Sequence, residues 1–183
     1  MSYMKYTNAS TIWKRNVLTV AVLSIVRTKV LYYNPTYSSY VTLTAKKYNR
    51  TNKLRFVTIK FDLLVPVDNT FMFDFYLYEL LSNVYKRSFV EFHIGACDIF
   101  LKDNLVSSMV KEAYFRMPAE LRPMKKFVCP LPPGNYSFLD MKLNLFVLPA
   151  TFPFQEGRAY VNFTRRGQPI GSGYLDFIIK LLK

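Results

Sequence analysis

The chain alternates between apolar and polar residues over most of its length. Apolar side chains occupy every second position from Val57 to Val65, and Lys60 and Asp62 lie between them. Because successive side chains of a strand point to opposite faces, this pattern predicts a strand with one buried face. The same alternation predicts strands over 71–81, 88–96, 140–147, 158–164 and 174–180, and a weaker one over 40–46.

One segment has a different period. Apolar residues recur at intervals of three and four from Leu105 to Ala113, which predicts a helix, and Pro118 ends it. A single helix within a series of antiparallel strands predicts a mainly β protein. We expect an immunoglobulin-like antiparallel β-sandwich or β-cup of about seven strands, with one helix between Asp98 and Met117.

The two cysteines flank this helical segment. Cys97 ends a predicted strand before it, and Cys129 follows it, so a disulfide between them would tie both ends of the segment to the sheet. The alternative is a pair of unrelated buried thiols. Two thiols and His93, the one histidine of the chain, do not make a four-ligand zinc site, so no metal site is expected.

The first 26 residues resemble a secretory signal. Lys14 and Arg15 precede an apolar run at 16–26, which is shorter than the roughly 20 residues of a membrane-spanning helix. The pattern predicts a signal peptide or N-terminal extension over 1–26 and one domain over 30–183. The alternative is that this β-branched run is the first strand of the domain.

Glycosylation triplets add to the indications of secretion. Asn49, Asn135 and Asn162 each begin an N-x-Ser/Thr triplet. Asn49 lies in a predicted loop, Asn135 follows a Pro-Pro-Gly turn, and Asn162 lies on the polar face of a predicted strand. Such triplets are common by chance, but sugars at these positions would not disturb a core. With the signal-like start and the paired cysteines, they predict a secreted, extracellular glycoprotein.

The chain is strongly basic. Its 25 Lys and Arg residues outnumber 12 Asp and Glu, which gives a formal charge of +13. Such a charge attracts nucleic acid, an anionic membrane or acidic ligands. The basic residues come as scattered pairs without the motifs of nucleic-acid modules, so we expect no nucleic-acid partner.

Catalytic and cofactor motifs are absent from the sequence. Histidine-dependent chemistry would have to pass through His93, which alternation places on the polar side of a strand. The Gly171-Ser172-Gly173 stretch lacks the full G-x-S-x-G pattern and is typical of a softened bend. We therefore predict that the protein is not an enzyme and that it uses no cofactor.

The order of several segments resembles a family of secreted insect proteins. The matching stretches are PVDNTFMFDFYLYELL, FVEFHIGACDIFL, VCPLPPGNYSF and the tail from Pro149 through GYLDFIIK, within about residues 35–180. The family is a domain of unknown function assigned to the myeloid differentiation factor-2-related lipid-recognition (ML) superfamily. The resemblance implies a sandwich whose sheets part to hold a lipid, as in the ganglioside-activator relatives, and some insect members look chemosensory.

Two functional hypotheses follow. The first is a secreted, non-enzymatic carrier that holds a lipid or other apolar small molecule between two sheets, with a basic exterior that favours acidic head groups or an anionic membrane. The candidates for its cavity are the apolar residues that the predicted strands turn inward: Phe61, Phe71, Phe73, Phe75, Phe92, Leu143, Leu145, Phe163 and Phe177.

The second hypothesis belongs to a different class. An immunoglobulin-like extracellular module with a solid core would bind another protein through its polar sheet face, where Met72, Tyr76, Tyr78 and Tyr160 alternate with charges. The shape of the interior distinguishes the two, because a ligand pocket needs a cavity above roughly 300 Å³.

Overall fold

The computed structural model describes residues 21–47, 55–102, 105–142 and 155–181. It is mainly β, as predicted. The strands are β1 (Ala21–Tyr33), β2 (Val41–Lys47), β3 (Arg55–Leu63), β4 (Phe71–Leu81), β5 (Val84–Gly95), β6 (Gly134–Met141), β7 (Glu156–Arg165) and β8 (Gln168–Leu181). The helices are α1 (Ala96–Leu101) and α2 (Leu105–Phe115), followed by a 3-10 turn at Ala119–Leu121.

Three details differ from the sequence prediction. The segment predicted as one helix forms two, because the backbone at Lys102 is extended (ψ 139°) and ends α1. A strand forms at Gly134–Met141, ahead of the one predicted over 140–147, and Asp140 adopts a positive φ of 50° near its end; residues 143–147 of the predicted strand lie outside the described residues. The described residues hold eight strands rather than about seven, because β1 is present.

Strand β1 includes residues that the sequence left open between a signal peptide and a first strand. Residues 21–26 lie in β1 and pair with β8, and Ile25 is 1% exposed opposite Phe177. The rest of the predicted signal segment, residues 1–20, lies outside the described residues. No helix in the described ranges is both long and apolar enough to cross a membrane.

The strands form two antiparallel sheets. The larger has the order β1-β8-β7-β4-β5, and the smaller has the order β2-β3-β6. On one side the sheets approach each other at β1 and β2, where Thr28 Oγ1 donates a hydrogen bond to the Leu43 carbonyl (3.2 Å). On the other side α1 and α2 connect β5 to β6, and α2 packs on β6. The result is a cup with one side closed by helices.

The predicted disulfide is present. Cys97, in the first turn of α1, is bonded to Cys129, and its side chain is fully buried. Two residues after Cys129, Leu131 exchanges backbone hydrogen bonds of 2.7 and 3.0 Å with Val67. The bond therefore fixes the start of the helical side of the cup to the segment that bridges the two sheets.

Candidate ligand cavity

An apolar cavity of about 330 Å³ lies between the two sheets. Five of the predicted cavity residues line it, and all five are phenylalanines: Phe61, Phe71, Phe73, Phe75 and Phe163. Helix residues that sequence reasoning did not assign to the cavity complete the wall, among them Ile99, Phe100, Met109 and Val110. No charged side chain of the described residues lines this space. Its walls are therefore suited to an apolar ligand.

Two glycines of β8 line the cavity. Gly171 and Gly173 pair with Phe163 and Val161 of β7, which face the interior, and they share a side with Leu175. At Gly171 a Cβ would lie 3.5 Å from the nearest atom, the Tyr32 carbonyl oxygen, so that position leaves room for a side chain. At Gly173 a Cβ would lie 2.9 Å from the Lys29 carbonyl oxygen, so there the glycine allows the close approach of β1.

The cavity reaches the surface near the turn between β1 and β2. Tyr32 and Tyr33 both line it and are 46% and 38% exposed. Tyr37, in the same turn, also lines it and packs edge-on against Phe71, with ring centroids 5.9 Å apart. These tyrosines give the entrance an apolar surface edged with hydroxyl groups.

A buried carboxylate holds this turn in place. Asp62 accepts hydrogen bonds from the Ser38 hydroxyl (2.9 Å), the Ser39 amide and hydroxyl (2.7 and 2.6 Å) and the Tyr40 amide (3.2 Å). Burial by itself raises the pKa of Asp62, but these hydrogen bonds to the charged form outweigh burial, so the pKa is lowered. Asp62 is thus a positioning group for the entrance, although alternation suggested only a solvated strand residue.

The remaining predicted cavity residues lie elsewhere. Phe92 faces the same side as Phe75 and stacks on it at 4.4 Å, but on the edge strand β5 it is 43% exposed and does not line the cavity. Phe177 is 3% exposed and belongs to the packed core beyond the cavity. Leu143 and Leu145 lie outside the described residues.

The glycosylation candidates are placed in part. Asn135 is exposed on β6, where its side-chain oxygen accepts a hydrogen bond from the Tyr40 hydroxyl (3.2 Å). Asn162 is half-buried on β7 between Asp74 and Ser172 of the neighbouring strands. Asn49 lies outside the described residues.

An arginine lies directly behind the cavity wall. Arg165 ends β7 opposite Phe71, and its guanidinium carbon is 4.9 Å from the centre of that ring and 5.8 Å from the ring of Tyr37. By alternation with Phe163 it faces inward. The sequence carried this signal, because a charge on the apolar side of a strand is uncommon, but the predicted strand stopped at 164.

The outer face of the larger sheet has its own network of aromatic and charged groups. Arg158 binds Asp176 through Nε (2.6 Å) and Nη2 (3.2 Å), and its guanidinium carbon lies 3.9 Å from the Tyr174 ring centre and 4.0 Å from that of Tyr85. The hydrogen bond to Asp176 raises the pKa of Arg158, so the pair stays charged. Charges that satisfy one another in this way stabilise the sheet surface.

His93 also belongs to this face. Its Nδ1 lies 2.6 Å from Asp74 Oδ1, and Asp74 Oδ2 accepts a hydrogen bond from the Thr164 hydroxyl (3.1 Å). The histidine therefore has a structural partner on the neighbouring strand. Within the described ranges no group of three or more His, Cys, Asp or Glu residues is arranged to hold a metal ion.

Comparison with known proteins adds no assignment: no protein-family model matches the chain, and no curated protein matches it. The functional argument therefore depends on the fold, the cavity and the chemistry of the residues around it.

Proposed function

We propose that the protein is a secreted, non-enzymatic binding protein that holds a lipid or other apolar small molecule between its two sheets. The single observation that supports this most is the apolar cavity of about 330 Å³. Its volume falls at the lower end of the range for small-molecule sites, roughly 300–1,000 Å³. Its walls, in the part of the chain that the structure describes, carry no charged side chain and offer mainly van der Waals contact.

The energetic cost of an empty cavity favours an occupant. The side chains that line this space lack contacts on the cavity side, and each lost contact forfeits dispersion energy. A ligand that fills the space recovers part of the lost contacts, so binding and stability are coupled.

Other features support a secreted carrier. The Cys97–Cys129 disulfide is compatible with an extracellular location. The formal charge of +13 favours ligands with acidic heads or an anionic membrane at which lipid is collected. The resemblance to the ML superfamily implies the same function, and a chemosensory role within it stays a prediction.

The proposal is tested by expressing the chain in a eukaryotic secretory host and identifying what organic solvent extracts from the purified protein. The control is a Gly171→Leu variant, whose side chain would occupy the space that the glycine leaves open. We expect lipid from the wild type and little from the variant. A folded wild-type protein that yields no lipid and binds no fluorescent fatty-acid analogue would contradict the proposal.

The alternative is a protein-interaction module. One observation favours it: on the outer sheet face the Tyr78 and Tyr160 rings lie 4.9 Å apart, and Tyr160 lies 5.7 Å from Tyr174. A row of tyrosines beside arginine is typical of protein interfaces. In that case, replacing Tyr78 and Tyr160 with serine would abolish capture of a partner from extracellular fluid, and Gly171→Leu would not.

A further inference from the structure

Arg165 has an unusual environment for a charged residue. It lies at the inward-facing end of β7, across from Phe71, and its guanidinium lies over the Phe71 and Tyr37 rings. Both rings line the cavity, and Arg165 itself does not. Phe71 is 1% exposed, so the cation rests on a fully buried wall. Favourable contact with two aromatic faces holds the guanidinium there.

The hydrogen-bonding capacity of this guanidinium is largely unused. Its Nε is buried and has no hydrogen-bond partner in the described part of the chain. Nη1 reaches the Tyr37 hydroxyl at 3.4 Å, and no carboxylate among the described residues forms an ion pair with it. A buried donor on a charged group costs free energy when it is unsatisfied, so the site favours an anion.

The carboxylate of Asp68 does not supply that anion. Asp68 feels the charge of Arg165 but forms no ion pair with it among the described residues, and its Oδ1 accepts hydrogen bonds from the Thr70 amide (2.9 Å) and hydroxyl (2.5 Å). The hydrogen bond from the Thr70 hydroxyl, more than Arg165, lowers the pKa of Asp68. Arg165 Nε therefore stays available to another group.

Tyr37 separates Arg165 from the cavity. Its ring lines the cavity on one side and lies near the guanidinium on the other, and it belongs to the turn that carries the entrance. Its backbone is held by hydrogen bonds to Asn34 and Leu64, so a rotation of its side chain alone would bring the cavity into contact with the guanidinium. An anionic group leaving the cavity past this ring meets Nε and the Nη atoms first.

We propose that Arg165 is the head-group site for an anionic amphiphile, with the apolar tail in the cavity and a carboxylate on Nε and Nη. This rests on the proposed function and makes it more specific, because it assigns the charge that the ligand carries and the residue that binds it. The planar fork of arginine suits a carboxylate, which can accept two parallel hydrogen bonds.

The test compares two probes of equal chain length, decanoate and decanol, by titration calorimetry at neutral pH. We expect the wild type to bind decanoate more tightly, and Arg165→Gln to weaken decanoate binding by roughly 10- to 100-fold while leaving decanol binding unchanged. The adjacent Arg166 offers a matched control, because it lies on the exposed β7–β8 turn. Arg166→Gln removes the same charge and should leave both affinities unchanged.

The outcomes separate the two ideas. If neither probe binds the wild type, the proposed function fails. If both bind equally well, or if Arg166→Gln weakens decanoate as much as Arg165→Gln does, the cavity function stands and the Arg165 site is overturned. A head-group site predicts a large loss at position 165 alone.

A second measurement needs no variant and therefore does not depend on the stability of one. Decanoate labelled with carbon-13 at its carboxyl group reports its own protonation by NMR when bound to the wild type. A carboxylate on Arg165 has a pKa below its value in water, because the cation favours the charged form. A bound pKa above the value in water would show a carboxyl buried without a cation and would overturn the site.

Discussion

The interior has two regions rich in aromatic residues, and one of them is closely packed whereas the other surrounds a cavity. Beneath α2, Tyr114 is completely buried among aromatic rings, with centroids of Phe127 at 4.9 Å and Phe138 at 6.0 Å. Its hydroxyl donates to the Met124 carbonyl (2.9 Å) and accepts from the Met124 amide (3.1 Å). This region is packed, and its polar group is satisfied.

Across the cup, a row of phenylalanines surrounds empty space. Phe73 and Phe163 stack at 4.6 Å, but on β8 Phe163 pairs with Gly171, and Val161 pairs with Gly173. The aromatic content of the two regions is similar, so composition does not decide which one is hollow. A missing side chain at Gly171, beside Phe163, contributes to the open space.

The largest expected effect is in the packed region. Tyr114→Ala removes a fully buried ring and leaves the Met124 amide and carbonyl without their partner, so we expect a loss of about 3–5 kcal/mol in the free energy of unfolding. Urea denaturation measures it. The control is Phe115→Ala: this neighbour is 44% exposed, and its loss should cost about 1 kcal/mol or less. Equal losses would mean that the region is not packed as described.

The second largest loss of stability is expected when the disulfide is removed. Closing a loop of 32 positions stabilises the fold by about 3–4 kcal/mol. Replacing both Cys97 and Cys129 with alanine should lower stability by that amount, as measured by thermal and urea unfolding. Because the bond anchors α1, which contributes Ile99 and Phe100 to the cavity wall, affinity for a fatty-acid analogue should fall as well. Unchanged stability would assign the bond no structural role.

Much of the fold could be predicted from local pattern. Alternation identified most strands and the inward side of β4, because successive side chains of a strand point to opposite faces of the sheet. The positions of Cys97 and Cys129 around the helical segment predicted their bond, which the structure confirms. The helix was predicted in the right place but as one element, since an extended residue at Lys102 leaves no sign in the apolar spacing.

The cavity could be predicted only in part, because alternation says which side a residue faces and not what covers it. Phe92 faces inward but lies on an edge strand, where no partner sheet reaches it. Phe177 also faces inward, but it is buried in the core beside Ile25 of the neighbouring strand β1. Gly171 and Gly173 were interpreted as part of a bend. The sequence alone does not show what lies opposite a glycine, so it could not predict that they border a cavity.

The third prediction tests the two glycines against each other. A Cβ at Gly173 would meet the Lys29 carbonyl oxygen at 2.9 Å, whereas one at Gly171 would lie 3.5 Å from the nearest atom, the Tyr32 carbonyl oxygen. We expect Gly173→Ala to cost about 1–3 kcal/mol, because backbone must shift. Gly171→Ala should change stability by no more than about 0.5 kcal/mol. Thermal unfolding of the pair measures the difference, and the reverse order would contradict the approach of β1 described above.

The smallest effect concerns the entrance and depends on pH. The pKa of Asp62 is lowered in the folded protein, so its stabilising contribution is present at neutral pH and is lost as the pH falls from the unfolded value, about 3.9, through the folded pKa. Asp62→Asn should cost about 1–2 kcal/mol at neutral pH and should reduce the loss of stability between neutral and acidic pH. Urea unfolding at several pH values measures both.

The same residue distinguishes the entrance from the packed region. Asp62 bonds Ser38 and Ser39, next to Tyr37, and does not contact the Tyr114 cluster. Hydrogen exchange in Asp62→Asn should therefore speed up at the amides of Ser39 and Tyr40, while the Met124 amide stays protected. Asp74→Asn is the control, since Asp74 is bonded on the outer face and is remote from the turn. Exchange that rises equally at Met124 would show that the two regions unfold together, and the entrance would then have no independent freedom to admit a ligand.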